Sequence, residues 1–213
     1  MTMEPLIHVI DDEAAIRDSM RVLLSSMGME VACYDTAQAF LNAPNTAQPG
    51  CILLDLRMPG MSGLELQRIL SDRNPPKPII FLSGHADVQA TVRAMHQGAV
   101  EFLTKPVNEE VLLEKIYSAV RLSRRKWAEY NERATLQARL ASLSAREREV
   151  LEGVFDGYSN KVIARKLGIS HKTVELHRSS LMAKMHADSL AQLVRMRIQA
   201  GSRAEDEASV SSL

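Results

Sequence analysis

The sequence predicts a parallel α/β domain followed by a small all-α domain, and three observations carry that reading. Over the first 120 residues, short apolar or β-branched runs alternate with longer amphipathic stretches in units of roughly 20 to 25 residues, the pattern of strands joined by crossover helices. Residues 144–200 show no two-residue alternation and read as four short helices. The formal charge of zero is unevenly spread: residues 1–120 carry nine Lys and Arg against fifteen Asp and Glu, whereas 121–143 and 144–200 are each net four positive. An acidic half followed by a basic one points to a cation or phosphate site in the first and an anionic partner for the second. With 213 residues, 46% of them hydrophobic, each half can bury its own core.

The predicted strands run Leu6 to Ile10, Val31 to Tyr34, Cys51 to Leu54, Ile79 to Leu82 and Val100 to Leu103. Helices fill the gaps near 13–27, 36–43, 63–73 and 87–97 and from 108 onward, with Pro44, Pro49, the Met58-Pro59-Gly60 turn and Pro75-Pro76 in the loops between. From Asn108 to about Leu140 there is no Gly or Pro, and Leu113, Ile116, Val120, Trp127, Tyr130 and Ala134 recur at helical spacing. Thirty residues of helix extend ~45 Å at 1.5 Å each, so the distal half is either a solvated connector or a dimerising coiled coil. In the basic half, Ser144 and Glu147 form a capping box, and further helices are expected near 159–167, 170–185 and 188–199. The Ser-, Ala- and acid-rich tail from Gly201 reads as disordered. Cys33 and Cys51 fit no metal spacing and lie in strand-like stretches, so both read as reduced core thiols.

In an open parallel sheet, ligands bind outside the carboxyl ends of the strands. The residues at those exits are polar here: Asp11-Asp12 after the first strand, Asp55 after the third, Ser83 after the fourth and Lys105-Pro106 after the fifth. Carboxylates ~4 Å apart repel by roughly 4 kcal/mol at an effective dielectric of 20, so a gathering of them calls for protonation or a cation. Hard oxygen ligands favour Mg²⁺. An aspartate beside such an ion can act as a nucleophile toward phosphorus, with a Lys and a hydroxyl to balance the transferred charge. Taken singly, Asp12 or Asp55 could simply cap the following helix.

Together with the run Asp55-Leu56-Arg57-Met58-Pro59-Gly60-Met61-Ser62-Gly63, the Ser83-Gly84-His85 step and Lys105-Pro106, these residues resemble the receiver domain of a two-component response regulator over residues 5–122. The resemblance implies a flavodoxin-like fold with strand order 2-1-3-4-5. It assigns Asp55 as phosphoacceptor and Mg²⁺ ligation to Asp11, Asp12, Asp55 and the backbone carbonyl of Arg57. Lys105 is expected to pair with the phosphoryl group, Ser83 to swing toward it, and Phe102 to act as the aromatic switch. A cis peptide before Pro106 is also implied. Ser83 stands where Thr is more frequent and Phe102 where Tyr is, and a Phe has no hydroxyl to bond outward. Arg57 and His85 flank the approach to the site.

In the basic half, the segment Asn160-Lys-Val-Ile-Ala-Arg-Lys-Leu-Gly-Ile-Ser-His-Lys-Thr-Val-Glu-Leu-His-Arg fits a helix-turn-helix. Ala164 falls where two helices touch, Gly168 at the turn, and Ile163, Leu167, Ile169 and Val174 face inward. Ser170 caps the second helix. With Leu143-Ser144, Arg146-Glu147 and Glu149-Val150-Leu151, the segment resembles the LuxR-type effector domain of the NarL/FixJ subfamily over 142–200. That resemblance implies a DNA face of Lys161, Lys172, Thr173, Glu175, His177, Arg178 and Lys184, with Val174 also presented to the groove despite its inward place in the pattern. Lys161 and Lys184 are expected at phosphates, Lys172 and Thr173 at base edges.

The combined expectation is a response-regulator transcription factor, not an enzyme. Residues 1–122 form the receiver, 123–141 a helical linker, 142–200 the DNA-binding domain and 201–213 a tail. The implied partners are a sensor histidine kinase, double-stranded DNA, RNA polymerase and a second copy of the chain on phosphorylation. No membrane partner is expected, because the apolar runs are far below the ~18 residues of a span and the opening MTMEPLIHVIDDE lacks a signal-peptide pattern. A cytoplasmic location follows. Other readings stay open: a regulator that works without phosphorylation, or a protein- or RNA-binding module. An aspartate-nucleophile phosphatase is disfavoured, because Arg57 stands where its second acid is required.

Overall fold

Strand β3 (Gly50–Asp55) is buried along its whole length, as a central strand covered on both faces must be. The computed structural model describes residues 4–44, 48–73, 75–84 and 88–198. His85 and the tail from Gly201 lie outside the described residues. The chain divides into two compact units, Met1–Tyr130 and Asn131–Leu213.

In the first unit, β1 (Leu6–Ile10), β2 (Glu30–Tyr34), β3, β4 (Ile79–Ser83) and β5 (Glu101–Thr104) form one parallel sheet in the order β2-β1-β3-β4-β5. The expected strands are all present, displaced by at most one residue at either end. Side chains alternate across the sheet. Ile52, Leu54 and Phe81 enter one core with Leu66 and Leu70 of α3 (Gly63–Ser71) and Ala90 and Ala94 of α4 (Val88–His96). Cys51, Leu53, Ile80 and Leu82 enter the other, with Leu24 of α1 (Ala14–Ser26) and Leu112, Ile116 and Val120 of α5 (Glu109–Ala141). The short α2 (Ala37–Asn42) is capped by Thr36, whose side chain accepts from the Ala39 N–H. Both cysteines are free thiols.

The loop after β3 sets the distance between strand end and helix start. Gly60 turns at φ +81°, and Ser62 with Glu65 forms a capping box at the start of α3. A Cβ on Gly63 would collide with the backbone oxygen of Asp55, so only glycine lets α3 begin directly against that strand end.

In the second unit, α6 (Ala145–Phe155), α7 (Asn160–Leu167), α8 (His171–Met185) and a helical stretch over 190–198 enclose a core of Val150, Leu151, Ile163, Val174, Leu181, Met185 and Leu193. Leu136 and Leu140 complete it. The predicted Ser144–Glu147 capping box opens α6, Gly168 ends α7 in the left-handed conformation (φ +65°), and the Ser170 side chain caps α8 by accepting from the Thr173 N–H at 3.1 Å.

Candidate functional site

Parallel pairing brings the carboxyl ends of β1, β3, β4 and β5 to one edge, and with them Asp11, Asp55, Ser83 and Lys105. Lys105 Nζ donates to Asp11 Oδ2 at 2.7 Å and to Asp55 Oδ1 at 2.9 Å. The other Asp55 oxygen accepts the Arg57 N–H at 2.6 Å. Asp11 is 2% exposed and Ser83 3%, while the Lys105 N–H donates to the Ser83 carbonyl at 2.7 Å. The Lys105–Pro106 peptide is cis. Phe102 is half-buried and stacks on Phe81, ring centroids 5.9 Å apart, which places it inward against the core. Asp12 is exposed and is not drawn into the Lys105 contacts.

Burial pushes the Asp55 carboxyl above its ordinary value, against the pull of the Lys105 hydrogen bond and the Arg57 N–H. Burial alone would lower the Lys105 ammonium, but hydrogen bonds to Asp11 and Asp55 outweigh it and hold it high. The directions differ because one cation serves two carboxylates: Lys105 has a surplus of negative partners, and Asp55 has half a counter-ion and Asp11 beside it. Among the described residues no three His, Cys, Asp or Glu side chains converge as a metal cage. Two buried carboxylates meeting at one ammonium, with the carboxylate of Glu13 nearby (Glu13 Oε1 is 3.7 Å from Lys105 Nζ), nonetheless fit the oxygen-rich, one- or two-carboxylate donor set that Mg²⁺ takes.

In the second unit the first turn of α8 presents Lys172 exposed and Thr173 half-exposed, and α7 opens with Lys161 exposed. Glu175 is exposed and lies 3.5 Å from His171, and His177 is half-buried. Val174 corrects the expectation: it is 0% exposed and belongs to the helical core, because its Cβ direction on α8 points at α6 and α7. Its inward place in the residue pattern was the right guide, and its side chain has no route to a groove. Arg178 and Lys184 are engaged within the unit. Arg178 donates to Asn160 Oδ1 at 2.7 Å, and Lys184 to Glu147 Oε2 at 2.7 Å and the Ser142 carbonyl at 3.4 Å.

The response regulator receiver domain model matches residues 7–117, and the model for bacterial regulatory proteins of the luxR family matches 141–197. The chain belongs to the NarL/FixJ family of response regulators. It is 45% identical over 201 residues to the transcriptional regulatory protein FixJ of Bradyrhizobium diazoefficiens, covering 94% of this chain and 98% of the relative. It is 42% identical over 191 residues to the response regulator protein TodT of Pseudomonas putida, covering 90% and 84%. Among solved structures, the response regulator StyR matches with a TM-score of 0.85 and 41% identity over 92% of this chain and all of that one. Full-length FixJ from B. japonicum matches with a TM-score of 0.55 and 45% identity over 94% and 99%. This response regulator is a regulator of transcription, joining a receiver to a LuxR-type helix-turn-helix domain.

Two features of this regulator were not foreseen from its residues. In the receiver, Arg17 Nη1 donates to the backbone carbonyls of Asp11 and Asp12 at 2.7 and 2.9 Å, holding the acidic loop in place. A basic residue five and six positions after an acidic pair was the available signal. In the effector, the buried Glu147 does more than cap: it accepts from Ser180 Oγ at 2.6 Å and from Lys184, tying α6 to α8. These partners, with the Ser144 N–H, hold its carboxyl down at about 2. Among the described residues no helix is long and apolar enough to cross a membrane.

Proposed function

We propose that a histidine kinase transfers a phosphoryl group to Asp55 and that the resulting aspartyl phosphate controls self-association and DNA binding. The convergence of Asp11, Asp55 and Lys105 at one sheet edge supports this reading most directly. An Asp55 carboxylate oxygen attacks phosphorus, the phosphorus–nitrogen bond of the kinase phosphohistidine breaks, and the imidazole leaves with the electron pair. Lys105 balances charge on the phosphoryl oxygens, and Ser83, on the neighbouring strand end, is the hydroxyl that turns toward them. Asp11, Asp12, Asp55 and the Arg57 carbonyl are the oxygens that hold Mg²⁺, which supplies positive charge for the incoming phosphoryl group. Phe102, packed on Phe81, reports the change to the surface of α4 and β5.

The receiver occupies 1–122, the linker 123–141 and the DNA-binding domain 142–200. Dimerised receivers bring two weak DNA modules to paired half-sites, where effective concentration raises occupancy. The protein acts in the cytoplasm on double-stranded promoter DNA, with RNA polymerase as its downstream partner, and has no catalytic turnover of its own. Lys161, Lys172, Thr173, Glu175, His177, Arg178 and Lys184 form the DNA face, with Arg178 and Lys184 also held by Asn160 and Glu147.

Intact-mass spectrometry of the full chain with a small phosphodonor, with and without chelator, tests the switch. A gain of one phosphoryl group that the chelator removes is expected, and no gain beside a working control receiver contradicts the reading. On the DNA side, Lys172→Ala weakens binding to a duplex selected from a random pool by about 10- to 100-fold, the range for one base contact. Lys161→Ala acts on every sequence and lowers the salt slope by about one. Fluorescence anisotropy across a salt series separates the two effects. Phosphoryl uptake is unchanged in both variants, and its loss in Lys172→Ala would contradict the division of labour between the domains.

A further inference from the structure

At the end of the receiver sheet opposite the acid cluster, Lys77 enters the protein just before β4. Its Nζ lies 2.8 Å from Nε2 of His8 on β1. His8 is 4% exposed, packs against the rings of Tyr34 and Phe40 with centroids 5.9 and 5.2 Å away, and has no hydrogen-bond partner at Nδ1. Among the described residues no Asp or Glu forms an ion pair with Lys77. Lys77 as a residue is half-buried, with its amine against the imidazole.

This is an unusual setting for an ammonium group. A cation withdrawn from water needs a counter-charge, and a neutral imidazole supplies a lone pair but no charge. The titratable groups acting on it are His8 and Cys51 of β3, and neither is ionised. Burial followed by the charge on Lys77 lowers His8 to about 3, and burial pushes the Cys51 thiol up to about 12. Lys77 is accordingly lowered by burial to about 8, where the neutral amine is a substantial species. A desolvated lysine of this kind is the usual form of a nucleophilic one.

We propose that Lys77 is a covalent modification site acylated by small activated acyl donors, because the His8–Lys77 contact presents an amine with no counter-ion whose acylated form keeps an N–H on the nitrogen that faces Nε2 of His8. The amine lone pair attacks the acyl carbonyl carbon, and the carbon–sulfur bond of a thioester or carbon–oxygen bond of an acyl phosphate breaks. The leaving group departs with the electron pair as thiolate or phosphate, and one amine proton passes to water. Nothing is oxidised or reduced. The product removes an uncompensated charge from the protein interior and retains an amide N–H for Nε2 of His8. Acylation of Lys77 requires no phosphoryl chemistry at Asp55.

Competition labelling of the full-length protein with trace acetic anhydride, read lysine by lysine by peptide mass spectrometry, tests the reactivity. Near neutral pH, Lys77 is labelled about tenfold faster than the exposed Lys161 and Lys172, the net of a larger neutral fraction and a less basic amine. Its rate rises through a midpoint at about 8, and the advantage vanishes in urea, where the His8 contact is lost. Separate incubations with acetyl-coenzyme A and acetyl phosphate then identify the donor class by which of them acylates Lys77. Labelling of Lys77 no faster than Lys161 and Lys172 overturns the proposal, as does failure of both donors to acylate it above the level of those two lysines.

Discussion

Asp55→Asn abolishes the gain in DNA affinity that a phosphodonor confers on the wild-type protein. The wild-type gain is expected between about 5- and 150-fold, the range of coupling free energies between two sites on one protein. Asparagine keeps the shape of the side chain and removes the anionic oxygen that attacks phosphorus. The fold tolerates this change, because Lys105 retains Asp11 at 2.7 Å, although the single amide oxygen can keep either the Arg57 N–H or the Lys105 ammonium and not both. The repulsion between the two buried carboxylates disappears together with the Lys105 hydrogen bond to Asp55, so the variant is expected to lie within about 1 kcal/mol of the wild type in stability. Anisotropy titrations with and without phosphodonor, run beside sedimentation to follow self-association, measure the effect. Equal enhancement in variant and wild type would place the control of DNA binding elsewhere than at Asp55.

Glu147→Ala destabilises the effector domain by about 2 kcal/mol, because it removes a buried carboxylate shared by three charge-assisted partners, of which the 40%-exposed Lys184 side chain regains water. The capping box of α6, the Ser180 hydroxyl and the Lys184 ammonium all converge on that one side chain. Hydrogen exchange of the α8 amides reads the loss locally, in the helix that Glu147 ties down. Glu147→Gln keeps the shape and part of the hydrogen bonding and is expected to fall between wild type and alanine. The same carboxylate gives a pH dependence of defined sign. Its folded value lies at about 2 against an ordinary 4.5, so its contribution is fully present above about 4.5 and drains away as the pH falls toward 2. Protection of α8 that is unaffected by Glu147→Ala, or that does not weaken through that acid window, contradicts the assigned role.

Much of the receiver site was legible because strand exits are local features. An apolar run such as Cys51 to Leu54 announces a buried strand, and the first polar residue after it, Asp55, must stand at the sheet edge where ligands bind. The same logic found Asp11 and Ser83, and Lys105 follows directly on the end of β5 at Thr104. The helix-turn-helix was legible for a related reason: a left-handed turn at Gly168 and a cap at Ser170 are encoded within a few residues of one another. Val174 shows where resemblance and pattern part. The pattern turned it inward and the resemblance turned it outward, and burial in the helical core decided for the pattern.

The sequence by itself determined which residues form strands and helices, where they end, and which polar groups stand at those ends, because periodicity, caps and turns act over a few residues. Only the tertiary structure decided how distant groups pair. Lys105 reaches Asp11 across 94 residues, Lys77 reaches His8 across 69, and Lys184 and Ser180 close on Glu147 across 37 and 33. Each of these contacts depends on strand order, helix packing and the direction a side chain takes from its backbone. A linear pattern carries no record of these. They are also the contacts that settle charge: whether a lysine faces two carboxylates, one, or a neutral imidazole is what makes Lys105 a strong cation, Lys184 a brace and Lys77 a reactive amine.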